Sequence, residues 1–146
     1  MRKHINECGV VLINKTFDNV LIIYQNESLK WGLPKGHMET NELEKKLYFD
    51  CAKRELLEET GIMITTHRYK KIGTFLLRDK LFYVIHLLKD INIRKPYDCK
   101  EVGAIKWLPI TQVANFLKKY RCNITLKELC SHILTIYESH HKISNV

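Results

Sequence analysis

The chain has 146 residues, 45% apolar and 27% charged, with a formal net charge of +8 at pH 7. That length suits one domain, residues 1–146, able to bury a core without disulfides or a structural metal. The longest apolar runs, GVVLI and FYVIHLL, fall far short of a membrane span, and Met1-Arg2-Lys3-His4 is not followed by a signal-peptide core, so neither membrane association nor secretion is expected.

In chain order, CGVVLINK (8–15) and NVLIIYQN (19–26) are β-branched runs bounded by turn residues and read as strands joined by a hairpin turn at 15–19. Trp31-Gly32-Leu33-Pro34-Lys35-Gly36 reads as a loop or edge segment, because Pro34 has no amide to give to a ladder. From Asn41 the apolar spacing becomes helical through Leu43, Leu47, Cys51, Leu56 and Leu57, and Gly61 is the stop. HRYKKIGTFLL and KLFYVIHLLKD then read as two strands joined at 78–80. Arg94 to Cys99 is a basic loop, and Ala104 to Leu108 a last strand closed by Pro109. Two helices follow, 110–120 and 125–137, the second with Thr125 and Glu128 as a capping box. Strands, helix, strands and two helices make an α+β architecture, a mixed sheet covered by helices.

Cys8, Cys51, Cys99, Cys122 and Cys130 are odd in number, scattered, and free of any C-x-x-C pair. They read as free thiols without disulfide partners, in a reducing compartment such as the cytoplasm.

The stretch RELLEETGI places Glu55, Glu58 and Glu59 on one side of a single helix, where like charges repel. Residues 36–64 carry 7 acidic against 4 basic side chains, whereas residues 65–100 carry 3 against 9. An acidic cluster inside a basic molecule suits a polyanionic ligand held through cations. Three carboxylates beside one arginine suit hard ions such as magnesium or manganese, and a solvated acidic helix face is the plainer alternative.

The surrounding sequence resembles the Nudix box, G-x5-E-x7-R-E-U-x-E-E-x-G-U with U aliphatic. Gly36 and Glu42 match its opening, and Arg54 to Ile62 match its close at every fixed position. One departure stands out, eleven residues between Glu42 and Arg54 where the pattern has seven. Either the helix starts about one turn early and keeps the Glu42–Arg54 contact, or residues 43–48 bulge and break it.

The resemblance implies the Nudix fold, a mixed sheet between helices, and metal-dependent hydrolysis of a nucleoside diphosphate linked to another group. It implies two or three Mg2+ or Mn2+ ions held by Glu55, Glu58, Glu59 and the Gly36 carbonyl. Arg54 would orient a glutamate. Glu101, ahead of the last strand, would be the general base, or a box glutamate in its place. PKGHME is similar to enzymes of the dinucleoside polyphosphate class. WGLPKG with Asp50-Cys51-Ala52 resembles messenger-RNA decapping Nudix domains, including those of large DNA viruses, where the compartment would be the host cytoplasm. Capped RNA is the favoured substrate, with Lys35, Lys70, Lys71, Arg94 and Lys95 binding phosphates and Tyr24, Phe75, Phe82 or Tyr83 as weaker candidates for base stacking. Dinucleoside polyphosphates, diphosphoinositol polyphosphates, nucleoside triphosphates and a non-catalytic binding module are the alternatives. His37, His86, His140 and His141 are expected on the surface or in packing.

Overall fold

Strand β1 (Glu7–Ile13) is buried along its whole length, as a mostly apolar strand must be when both faces of its sheet are covered. The computed structural model describes residues 4–93 and 100–144. Strand alternation sends Val11 and Ile13 into one apolar cluster and Cys8, Val10 and Leu12 into the other. A tight turn leads to β2 (Asn19–Gln25). There the Asn14 side chain accepts the Asp18 and Asn19 amides at 3.0 and 2.9 Å.

The segment around Pro34 is more ordered than its sequence predicts. It holds two three-residue strands, β3 (Lys30–Gly32) and β4 (Lys35–His37), with the proline between them where no ladder donor is needed. β3 pairs with β2, and β4 pairs with β1 so that Gly36 lies opposite Cys8.

The helix expected from Asn41 onward is two helices, α1 (Thr40–Lys45) and α2 (Tyr48–Thr60). Lys46 ends α1 in the left-handed conformation, φ 55°, and its amide reaches the Glu42 and Leu43 carbonyls. The four extra residues are absorbed by this short helix and its break, not by a bulged loop. Gly61 closes α2 as expected, its amide donating to the Leu57 carbonyl at 2.8 Å.

After a 3₁₀ turn at Ile64–Thr66 come β5 (Tyr69–Leu77), β6 (Lys80–Leu87) and β7 (Val102–Pro109). β6 runs parallel to β1, β5 is antiparallel to β6 at the edge, and β7 is antiparallel to β2. Together they form a mixed seven-stranded sheet. The last helical region comprises a 3₁₀ turn at Ile110–Gln112, α3 (Val113–Lys119) and α4 (Ile124–Ser144).

The expected Thr125–Glu128 capping box does not form. α4 starts a residue earlier, so Thr125 is already inside it and 2% exposed. Asn123 caps instead, its Oδ1 accepting the Leu126 amide at 2.9 Å, and Glu128 pairs with Arg78 at 2.8 Å.

α2 covers one face of the sheet with Cys51, Ala52 and Leu56, and α3 and α4 cover the other with Val113, Phe116, Leu126, Leu129 and Ile133. Among the described residues no helix is long and apolar enough to cross a membrane.

Candidate active site

The chemistry-bearing side chains collect where α2 passes β4. Apolar residues Cys51, Ala52 and Leu56 pull one side of α2 onto the sheet, and helical pitch then fixes the placement of its glutamates. Glu59 is driven deepest, 4% exposed, and its Oε1 accepts the Lys35 backbone amide at 2.8 Å. Glu55 is mostly buried against β4. A Cβ on Gly36 would collide with its carboxylate, so the glycine is what lets strand and carboxylate approach. Glu58 lies nearest to solvent, with 48% of its side chain exposed.

Arg54 is the counter-charge, and it serves more than one carboxylate. It meets Glu42 from Nε and Nη2 at 3.1 and 2.9 Å, and Glu55 and Glu58 from Nη1 at 2.9 and 3.2 Å. It also donates to the His37 carbonyl at 3.0 Å and lies 3.5 Å from Glu39. The Glu42–Arg54 contact therefore survives the insertion. Glu42 is positioned for it by a capping box at the start of α1, in which it accepts the Glu39 amide at 2.8 Å. Glu42 raises the Arg54 pKa most, so the guanidinium stays charged.

The carboxylates feel both burial and one another. Burial, then the Glu55 charge, pushes Glu59 up to about 8 against the pull of the Lys35 amide and ammonium, and Glu101 adds to the rise. Burial raises Glu55 as well, opposed by Arg54 and reinforced by Glu58 and Glu101.

These groups line a cleft of about 890 Å³ together with Glu7, Gln25, Glu27, His37, Lys100 and Glu101. Glu101 arrives from the far side, ahead of β7, where its carbonyl accepts the Asn26 amide at 2.9 Å. Glu7 sits inside an otherwise apolar strand. It is matched by Lys35 at 3.0 Å and Lys80 at 3.2 Å.

The donor set is all oxygen and predominantly anionic, which fits a hard divalent cation whose charge would offset the carboxylate repulsion that adds to the effect of burial on Glu59. Among the described residues no three carboxylate, histidine or cysteine side chains already converge as ligands. Arg54 holds Glu55 and Glu58, while Glu59 is turned onto the Lys35 amide. The Gly36 carbonyl faces the Cys51 thiol at 3.7 Å.

Of Lys35, Lys70 and Lys71, the described residues named for substrate binding, only Lys35 lines the cleft, with its ammonium on Glu7. Lys70 and Lys71 lie on edge strand β5, outside the cleft lining, and Lys71 is seated over the Phe49 ring at 4.3 Å. Sequence proximity to other cations does not carry them there, because β6 and β1 stand between. Arg94 and Lys95 lie outside the described residues. None of Tyr24, Phe75, Phe82 and Tyr83 lines the cleft, and Phe82 is fully buried. His37 lines the cleft, whereas His86 and His140 pack on Phe17, with ring centroids at 4.8 and 3.9 Å.

Lys100, expected with the basic 65–100 segment to track phosphates, does line the cleft. Sequence reasoning missed Glu7 and Glu39. The available signal for Glu7 was a carboxylate at the head of an apolar run. Nothing in the local sequence marks Glu39.

Known proteins resemble this chain in sequence and in fold. The sequence profile of the NUDIX domain matches residues 3–127. The mRNA-decapping enzyme subunit 2 of Saccharomyces cerevisiae is 26% identical over 129 residues, 84% of this chain and 12% of that one. The uncharacterized Nudix hydrolase YvcI of Bacillus subtilis is 27% identical over 106 residues, 69% of this chain and 65% of that one. A solved structure of a C. elegans Ap4A hydrolase binary complex superposes with a TM-score of 0.67 at 16% identity, covering 93% of this chain and 98% of that chain. This chain thus spans a small fraction of the decapping subunit and nearly all of the Ap4A hydrolase fold. With the profile covering most of its length and the box residues gathered in one cleft, the chain belongs to the Nudix family.

Proposed function

We propose that the chain is a divalent-metal-dependent Nudix pyrophosphohydrolase that removes the 5′ cap of messenger RNA. The observation that carries the enzymatic reading is the meeting of Glu55, Glu58 and Glu59 from α2 with Glu101 from the segment before β7, in one cleft beside a single arginine clamp. A binding module would have no need to keep such a costly concentration of charge.

Two or three magnesium or manganese ions would be held by Glu55, Glu58, Glu59 and the Gly36 carbonyl, supplying positive charge against the negative charge of the phosphoryl oxygens. The chain's own residues do the remaining work. Arg54 fixes the orientation of Glu55 and Glu58 through the contacts given above. Lys35 and Lys100 on the cleft walls offset phosphate charge. Glu101 takes a proton from the attacking water as its oxygen bonds to phosphorus and the bridging P–O bond breaks. The products are a nucleoside diphosphate and a 5′-monophosphorylated RNA.

The cap is favoured over the other phosphoanhydrides by similarity to the yeast decapping subunit, which runs through 84% of this chain. The test is product analysis with magnesium on capped RNA, diadenosine polyphosphates, diphosphoinositol polyphosphates and nucleoside triphosphates. Release of the cap nucleoside as its diphosphate is expected to be the fastest reaction. A faster reaction on one of the other three reassigns the substrate. Undiminished turnover by Glu58→Gln combined with Glu59→Gln, at saturating metal, removes the enzymatic assignment itself.

A further inference from the structure

Between Glu101 and Glu128 the sequence holds five lysines and arginines and no acidic residue. The fold brings this segment beside β3. The Trp31 amide donates to the Arg121 carbonyl at 2.8 Å, and β2 lies between β3 and β7. Lys30, Lys106, Lys118, Lys119 and Arg121 therefore belong to one region, and among the described residues none of them is in an ion pair. Lys35, Lys53 and Lys80 all are.

Rings run through the same region. Tyr24 meets Trp31 edge-on with centroids at 5.3 Å, Trp31 meets Phe116 edge-on at 5.6 Å, and Phe116 stacks on Tyr120 at 4.5 Å. Lys106 Nζ stands 5.4 Å from the Phe116 centroid, and Tyr120 is 51% exposed. The chain links this region to the cleft, since Gln25, Glu27 and Ser28 line the cleft just before Lys30.

We propose that this face, from Lys30 and Trp31 to Tyr120 and Arg121, binds the single-stranded RNA that trails from a cap held in the cleft. The inference rests on the cap reading. Unpaired cations attract a phosphate backbone, and the exposed ring of Tyr120 at the same place offers a face on which an unpaired base stacks. An acidic peptide would satisfy the cations but has no use for that ring. The β5 lysines are poorer candidates, since Lys71 already covers Phe49 and Tyr83.

The experiment measures binding of uncapped, 5′-hydroxyl single-stranded RNA of about 4 and about 16 nucleotides to the full chain across a salt series. The longer oligomer should bind more tightly. The variant Lys118→Ala, Lys119→Ala, Arg121→Ala should lower the slope of log Kd against log salt by about 2, at roughly 0.7 per lost phosphate contact. Tyr120→Ala should weaken binding about tenfold, and Tyr120→Phe, which keeps the ring, less than about twofold. Thermal melting of each variant shows that the fold is intact. An unchanged slope in the triple variant, or no binding of the longer oligomer by the unaltered chain, overturns the proposal. So does a polyglutamate peptide that binds as tightly as the RNA and is indifferent to Tyr120→Ala, which would make the face a protein-docking surface. Hydrolysis of a cap dinucleotide by the unaltered chain is followed in parallel. Its absence alongside the expected RNA binding leaves the surface standing and removes the cap reading.

Discussion

Arg54 and Glu42 are joined by two hydrogen bonds, Nε to Oε2 at 3.1 Å and Nη2 to Oε1 at 2.9 Å, across the break between α1 and α2. Burial alone would raise the Glu42 pKa, but Arg54 and the Glu39 amide outweigh it and hold the carboxyl below its ordinary range. A fork meeting a carboxylate gives direction as well as charge, and the same guanidinium then reaches Glu55 and Glu58.

Arg54→Lys keeps the charge and loses the fork. Glu42, 5% exposed, is left with an incomplete partner. Urea unfolding should show stability lower by about 3 kcal/mol, within the range for breaking a buried pair. Hydrolysis should fall by more than that stability loss explains, because Glu55 and Glu58 lose their common anchor. A variant with unchanged stability would show that the contact is incidental to the fold.

Glu59 links pH to stability with a definite sign. Its folded value of about 8 lies above the ordinary 4.5, so the folded chain holds a proton that the unfolded chain releases. The stability this contributes is complete below pH 4.5, declines as pH rises and is gone above about 8. Without metal, Glu59→Gln should flatten this decline and raise the melting temperature at pH 7.5 by several degrees, since the amide oxygen still accepts the Lys35 amide. The same variant should not hydrolyse substrate. Equal melting temperatures for both chains from pH 5 to 8 would contradict the buried-carboxylate account.

Gly36 and Gly9 separate a site glycine from a fold glycine. A Cβ at Gly36 meets only the far end of the flexible Glu55 side chain, which can swing away, so Gly36→Ala should cost about 1 kcal/mol or less in stability while lowering turnover at least tenfold. A Cβ at Gly9 meets the Pro34 carbonyl at 2.5 Å and the Phe82 ring at 2.7 Å, neither free to move, so Gly9→Ala should destabilise by about 3 kcal/mol. Melting temperature against rate for the two variants checks the contrast. A strongly unfolded Gly36→Ala chain would refute it.

Glu101→Gln should lower the maximal rate about 10²–10⁴-fold with the apparent metal affinity nearly unchanged, as removal of a proton acceptor does. A rate equal to that of the unaltered chain would return the general base to a glutamate of α2.

Much of the site was legible because it is local. Glu55, Glu58 and Glu59 share a helix side by spacing alone, and Arg54 stands next to them in the chain. What the sequence hid was long-range pairing. Glu7 and Lys80 meet at 3.2 Å only because β1 and β6 lie side by side, and Lys70 is carried to the far edge by the same topology. The strands were readable from β-branched runs, but β3 and β4 are too short to show a period. The break at Lys46 escaped because nothing there carries a glycine or proline, and lysine adopts the left-handed conformation without a sequence marker.

The parallel pairing of β1 with β6 also dictates when the protein can fold. Residue 7 must find residue 80, and β1 is the floor against which α2 packs. A nascent chain that has emerged only as far as α2 has its carboxylates but lacks the partner strand that keeps that floor in place. Closing so long a loop, with only the short β1–β2 and β1–β4 pairings available to β1 beforehand, makes nucleation slow and late. Ribosome-held chains ending before Lys80 should therefore remain open to protease within α2, and protection should appear only after β6 has emerged. Protection in the shorter chains would mean that α2 and the first strands form an autonomous folding unit.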